Sequence, residues 1–201
     1  MSYSVPARAT CVELEEKRSR FITYIEPVSS RQAAMDFLAG LRLQYPDASH
    51  HCWAYVIGNP DSPTALACSD DGEPSGSAGK PMLQILQYRE VGDVMAVVVR
   101  YFGGTKLGVG GLVRAYGAAV QLAIEQTTLE LQVPTLNLKV VCDYASEANV
   151  RHVVQEVEGV IIDCQYSEHV TLLCSVPERA AEALSGSIGN LTQGQAQITV
   201  F

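Results

Sequence analysis

The chain has no apolar run long enough to cross a bilayer. Its longest, Val94 to Val99, falls far short of the roughly 20 residues a spanning helix needs. Met1 to Pro6 also lacks the basic start and apolar core of a signal peptide, so a cytoplasmic protein without a membrane partner is expected. The six cysteines include no CxxC pair, which argues against a zinc frame or a redox motif. In a reducing compartment they read as small core residues. Positive charge is scarce: 14 Lys and Arg stand against 22 Asp and Glu, a net charge of −8. Such a balance opposes indiscriminate binding to a phosphate backbone, and DNA is not expected as a partner. Up to Pro134 there are 11 basic and 14 acidic residues, and from Thr135 onward 3 and 8. A nucleic-acid partner would therefore fall to the first part of the chain. With 47% hydrophobic and 18% charged residues, the composition is that of a packed globular protein.

Periodicity then organises the chain. Leu136, Leu138, Val140 and Cys142 alternate as a strand, and Val150, Val153, Val154 and Val157 follow at helical spacing closed by Gly159. Val160 to Tyr166 and Val170 to Val176 read as a hairpin, Ala181, Leu184, Ile188 and Leu191 as a helix, and Ile198 and Val200 as a last strand. The order is βαββαβ, the ferredoxin-like or split βαβ arrangement. A boundary is expected at Val133-Pro134-Thr135, where a helical stretch ends, which divides the chain into residues 1–133 and 135–201. The first part reads as α/β. It has strands near Thr10 to Glu15 and Phe21 to Val28, a helix from Arg31 to Tyr45 capped by Ser29 or Ser30, and strands Cys52 to Ile57 and Thr64 to Cys68. A helix from about Ala78, a buried strand Val94 to Arg100 and a helix from about Gly111 to Thr127 complete it.

Chemistry concentrates in the segment from Arg100 to Arg114, with five glycines and the cations Arg100, Lys106 and Arg114 but no acid. Between a buried strand and a helix, Gly103, Gly104 and Gly108 let the backbone approach a ligand, and the helix start favours an anion. The same glycines would equally serve a tight turn with solvated cations. A dinucleotide fingerprint starting at Gly108 would need glycine where Val113 stands, and Gly76 to Pro81 lacks the first glycine and the hydroxyl of a Walker loop. No cofactor is implied. The loop Cys68 to Lys80 carries Asp70, Asp71 and Glu73 beside Lys80; Asp70 and Glu73 suit a magnesium ion, a basic partner or plain solvation. His50, His51 and Cys52 are adjacent on a strand, so their side chains alternate between faces and do not converge on one metal. His50 or His51 is expected to line the surface of Arg100.

The motifs His50-His51-Cys52-Trp53-Ala54-Tyr55, Ser69-Asp70-Asp71-Gly72-Glu73-Pro74, Ala78-Gly79-Lys80-Pro81 and Val99-Arg100-Tyr101-Phe102-Gly103-Gly104 through Gly108 to Arg114 together resemble the IMPACT family, specifically its bacterial, YigZ-like members. The resemblance covers most of the first domain, and the remaining third matches the extra domain of the bacterial members. It implies a first domain folded like the second domain of a small-subunit ribosomal protein, a fold shared with elongation factor G and some small-molecule kinases. The second domain is implied to resemble a ferredoxin-like domain of elongation factor G. Eukaryotic members regulate translation by competing for a protein that activates the amino-acid-starvation kinase. The expected function is a translation-associated regulatory binding protein that meets RNA, the ribosome or a translation factor through Arg100, Tyr101, Gly103, Gly104, Lys106, Gly108 and Arg114, with His50, Asp70, Glu73 and Lys80 alongside. An enzyme acting on a phosphorylated or carboxylated small molecule, or a pure protein-interaction scaffold, are the alternatives.

Overall fold

The computed structural model describes residues 2–201, which form a mixed α/β protein of two compact units, residues 2–132 and 133–201. In the first unit β1 (Tyr3–Pro6), β2 (Thr10–Glu16) and β3 (Ser19–Pro27) precede α1 (Arg31–Gln44). Then come β4 (His50–Ile57), β5 (Ala65–Ser69), α2 (Gly79–Tyr88), β6 (Val94–Tyr101), α3 (Val109–Gln126) and β7 (Leu129–Gln132). Five strands make one antiparallel sheet in the order β2-β3-β6-β4-β5.

Strand alternation gives this sheet two apolar faces. Val94, Ala96 and Val98 of β6 and Cys52, Ala54 and Val56 of β4 pack with Phe21 and Ile25 against Met82 and Leu86 of α2 and Tyr116 and Val120 of α3. The intervening Met95, Val97 and Val99 face Ala34, Leu38 and Leu41 of α1. A central strand covered on both sides reads as a continuous apolar run, which is why Val94 to Val99 has no polar residue. The Oγ of Ser30 caps α1 by accepting the N–H of Ala33.

Two expectations from the sequence are corrected. The stretch before Pro134 is not helical: α3 ends at Gln126 and the chain continues as β7, which pairs antiparallel with β1. And of the six cysteines only Cys52, Cys142 and Cys174 are buried, whereas Cys11 and Cys68 are exposed and all six are free.

The second unit runs β8 (Thr135–Cys142), α4 (Glu147–Glu156), β9 (Val160–Tyr166), β10 (Val170–Pro177), a 3₁₀ turn, α5 (Ala181–Leu191) and β11 (Gln197–Val200). Its antiparallel sheet has the order β11-β8-β10-β9, the topology of a split βαβ unit. Val150 and Val154 of α4 and Leu184 and Ile188 of α5 pack on Leu138, Val140, Leu172 and Cys174. Among the described residues no helix is long and apolar enough to cross a membrane.

Candidate functional site

The alternation that fills the core also plants a charge in it. Arg100 is the next member of the row Val94, Ala96, Val98 on β6, so its side chain rises on the face covered by α2 and α3. Register puts Phe21 of β3 on one side of it and His50 of β4 on the other. A guanidinium there needs a partner, and Glu73 supplies it. Arg100 Nη1 donates to Glu73 Oε1 at 2.5 Å, with the two side chains only 6% and 4% exposed. The hydroxyl of Tyr116, which reaches in from α3, donates to the same oxygen at 2.7 Å. Arg100 Nη2 lies 3.3 Å from Ser19 Oγ, and the guanidinium stands 5.4 Å from the ring centre of Phe21 and 5.7 Å from that of Phe102. Two polar atoms are left over. Arg100 Nε is buried without a hydrogen-bond partner, and Glu73 Oε2, which accepts no hydrogen bond among the described residues, lies 3.9 Å from His50 Nε2.

The loop between β5 and α2 delivers Glu73, and Asp70 holds that loop. Asp70 Oδ1 accepts the N–H groups of Ala78 and Gly79, and Oδ2 that of Gly76, so its carboxylate satisfies orphan donors where α2 begins. Burial opposes its ionisation, yet these three donors outweigh it and keep the carboxyl below its ordinary value. Asp70 is thus committed to backbone. His50 Nδ1 sits 2.8 Å from the Asp71 carbonyl oxygen, while the His51 backbone N–H donates to Asp71 Oδ2. The His51 ring lies on the opposite side of the sheet, as alternation requires; burial lowers its pKa, and Nε2 has no partner. Burial pushes the Cys52 thiol up to about 12, so it stays protonated beside the Tyr116 hydroxyl, 3.3 Å away. Burial likewise raises the Tyr116 phenol, which keeps it a donor.

These shifts set an acid dependence. With the folded pKa of His51 below 6.5, the unfolded chain takes up that proton first; the stability His51 contributes is complete above about pH 6.5 and falls below it. Asp70 acts in the same direction at lower pH, because the unfolded carboxyl protonates before the folded one. The melting temperature should drop between about pH 7.5 and about pH 5.5, and His51→Gln should flatten that drop. An unchanged slope in the variant would show that His51 does not carry it.

Above the buried pair a cleft of about 280 Å³ opens, walled by Pro74, Phe102, Leu107, Val109 and Leu112, with Lys106 and Gly108 at its edge. Phe102 is half exposed. Gly108 precedes α3 at φ 74°, a left-handed conformation that glycine adopts freely, and no side chain caps the first turn of α3. Leu107 also lines a neighbouring hollow that contains Lys17, Arg114, Gly111 and Glu16. Lys17 and Arg18 form the two-residue turn between β2 and β3, both at positive φ, 48° and 65°. That turn lies hard against Gly103, where a Cβ would fall 2.0 Å from the Arg18 carbonyl.

The residues expected from the sequence thus separate. Glu73, Arg100, Lys106 and Gly108 share the cleft, His50 stands beside Glu73, and Arg114 occupies the adjoining hollow. Arg100, read from the sequence as a cation of the glycine turn, is at the floor rather than the surface, because Glu73 and Ser19 engage it. Tyr101 points elsewhere, donating to Asp47 at 2.9 Å, and Gly104 is exposed on the turn. Lys80 is exposed on α2 and does not line the cleft. Sequence reasoning passed over Tyr116, Ser19, Lys17 and Arg18. Tyr116 had a readable signal, since a tyrosine on the inward face of a helix needs a partner for its hydroxyl.

Residues 17–124, which include every residue of this site, match the model of the Impact N-terminal domain. The chain belongs to the IMPACT family. Residues 140–195 match a second model, a domain of unknown function (DUF1949). An IMPACT family member of Haemophilus influenzae is 40% identical over 99% of this chain and 97% of its own. IMPACT family member YigZ of Escherichia coli is 39% identical over 98% and 97%. Protein IMPACT of Bos taurus is 35% identical over 48% of this chain and 31% of its own length, so the likeness to it covers about half of this chain. A crystal structure of a hypothetical protein, 38% identical, matches all of this chain and 97% of that one with a TM-score of 0.72.

Proposed function

We propose that this IMPACT family protein binds RNA within the translation apparatus, using the cleft and its cationic border, and that it acts there as a regulator rather than as an enzyme. One observation carries the reading. In a chain of net charge −8, the exposed Lys106 stands at the edge of the apolar cleft, the exposed Lys17 and Arg114 line the hollow that adjoins it at Leu107, Arg18 shares the turn of Lys17, and none of the four makes an ion pair among the described residues. The half-exposed Phe102 offers a ring face beside them, the pairing of cations with an aromatic platform that suits single-stranded nucleic acid. Uncapped N–H groups at the start of α3 add a seat for phosphate. The translation setting rests on the resemblance to the eukaryotic regulators.

Sedimentation with ribosomes and their separated subunits at two salt concentrations tests this. Binding is expected to weaken with salt, and Lys106→Ala with Arg114→Ala to weaken it by about tenfold or more with a shallower salt dependence. Arg100 is a poor choice for such a test because its removal unbalances the buried pair. Ribosome and RNA binding that the double variant leaves undiminished would remove the basis of the reading.

A further inference from the structure

Independently of the RNA reading, we infer that the outer edge of β9, in the second unit, is a docking strand for an extended, basic protein segment. β9 is the last strand in the order β11-β8-β10-β9, so one side of its backbone is unpaired. Proteins blunt such edges with charged side chains, proline or very short strands. β2, at one edge of the first unit's sheet, carries Glu13, Glu15 and Glu16, and the edge strands β5 and β11 are only five and four residues long. β9 runs for seven residues without lysine or proline, and its Val160, Ile162 and Tyr166 are 64%, 55% and 60% exposed. Its register on β10 shifts between Leu173 and Cys174, which leaves Ile162 without a partner and bends the strand there. An added strand would therefore pair chiefly along residues 163–166, with Ile162 as an apolar contact.

Charge decides what that strand is. From Thr135 onward 3 basic residues stand against 8 acidic ones, and two of the three, Arg151 and Arg179, are already engaged by Glu147 and Glu158. Such a surface repels a phosphate backbone and attracts a cationic chain. It also opposes a second copy: Asp163 is the middle residue of β9, so centred antiparallel pairing of two copies would set Asp163 against Asp163. In the free protein the Asp163 carboxylate accepts the N–H of Cys164 at 2.8 Å and Nε2 of Gln165 at 3.1 Å. A cation opposite it would draw the carboxylate off and release that backbone donor. A second feature fits the same occupant. At the end of β9 the ring of Tyr166 stacks on that of Tyr144, centres 6.2 Å apart and planes 18° apart, and Tyr144 is 55% exposed. Both hydroxyls are tied down, that of Tyr166 to Glu147 Oε1 at 2.8 Å and that of Tyr144 to the Ser167 carbonyl at 2.5 Å. Exposed rings fixed in this way suit the stem and guanidinium of an arginine.

The test uses the full chain and three synthetic peptides of about ten residues, the length of a long strand. One alternates valine with arginine, one alternates valine with glutamate, and one is the arginine peptide with alternate backbone nitrogens methylated, so that it cannot complete a ladder. The arginine peptide is expected to bind about tenfold or more tightly than either of the others, and to protect backbone amides of β9 from hydrogen exchange. Ile162→Lys should weaken it. Asp163→Lys with Glu168→Lys, both at exposed positions, should turn the preference toward the glutamate peptide, a gain that misfolding does not produce. Failure of the arginine peptide to bind, equal affinity for the arginine and glutamate peptides, undiminished binding of the methylated peptide, or protection that maps outside β9 would each overturn the docking strand. So would a dimer of the chain that Ile162→Lys dissolves, because the edge would then belong to a second copy.

Discussion

Replacing Glu73 with alanine should destabilise the first domain by about 3 to 5 kcal/mol, because it strands the Arg100 guanidinium in a site from which water is largely removed. Arg100 would keep only Ser19 Oγ and the faces of Phe21 and Phe102, none of which neutralises it, and the Tyr116 hydroxyl would lose its acceptor at the same time. The cost lies in leaving one ion unpaired rather than in the worth of the pair itself, which has an observable consequence. Glu73→Leu combined with Arg100→Met, which replaces both ions with apolar groups of similar reach, should recover most of the lost stability. Trp53, the single tryptophan of the chain, sits on β4 and reports on this domain alone in urea titrations. Single and double variants equally unstable would mean that packing around the cluster matters more than its charge balance. A Glu73→Ala cost under about 1 kcal/mol would mean that water reaches Arg100 freely.

Gly103→Ala should be the most damaging of the small changes in the glycine turn, at about 3 kcal/mol or more. The added methyl would fall 2.0 Å from the carbonyl carbon and oxygen of Arg18 and 2.4 Å from the nitrogen of Ser19. These are backbone atoms in a two-residue turn, so no side chain can swing aside; the β2–β3 hairpin would have to lift. Lifting it breaks the hydrogen bond from Gly103 N–H to Ser19 Oγ and draws that hydroxyl away from Arg100, which carries the damage into the floor of the cleft. Gly104→Ala is the control. Its φ of 82° imposes a conformational cost of roughly 1 kcal/mol, but nothing stands within 4 Å of the new methyl. Thermal melts that rank Gly104→Ala as worse than Gly103→Ala would contradict the close packing of turn on turn.

Much of the site was legible locally. The row Val94, Ala96, Val98 announced a buried strand, and the glycines after Tyr101 announced the turn into α3. Ser69 to Lys80 stood out as a loop. What Arg100 does there was not legible, since its partner is 27 residues away in that loop and its second acceptor 81 residues away on β3. A cation in a glycine-rich turn reads as an exposed anion contact until something buries it. Asp70 misled in the opposite sense: an acidic loop residue suggested metal or solvent, and the backbone of its own loop holds it instead. The strand Leu129–Gln132 was missed because four residues after a long helix carry too little periodicity to outweigh it, and their pairing partner lies at the other end of the unit.

By itself, then, the sequence determined the alternation and helical periodicity of its elements, the βαββαβ order of its second part, and the scarcity of positive charge outside one turn. Those properties depend on neighbours a few positions apart, which the chain records directly. Only the tertiary structure decided which charges face water and which pair in the core, and that Lys17 joins Arg114 in a hollow beside the cleft that Lys106 borders. Those outcomes depend on register and on loops that bring distant residues within a hydrogen bond of one another, a distance that no local pattern encodes.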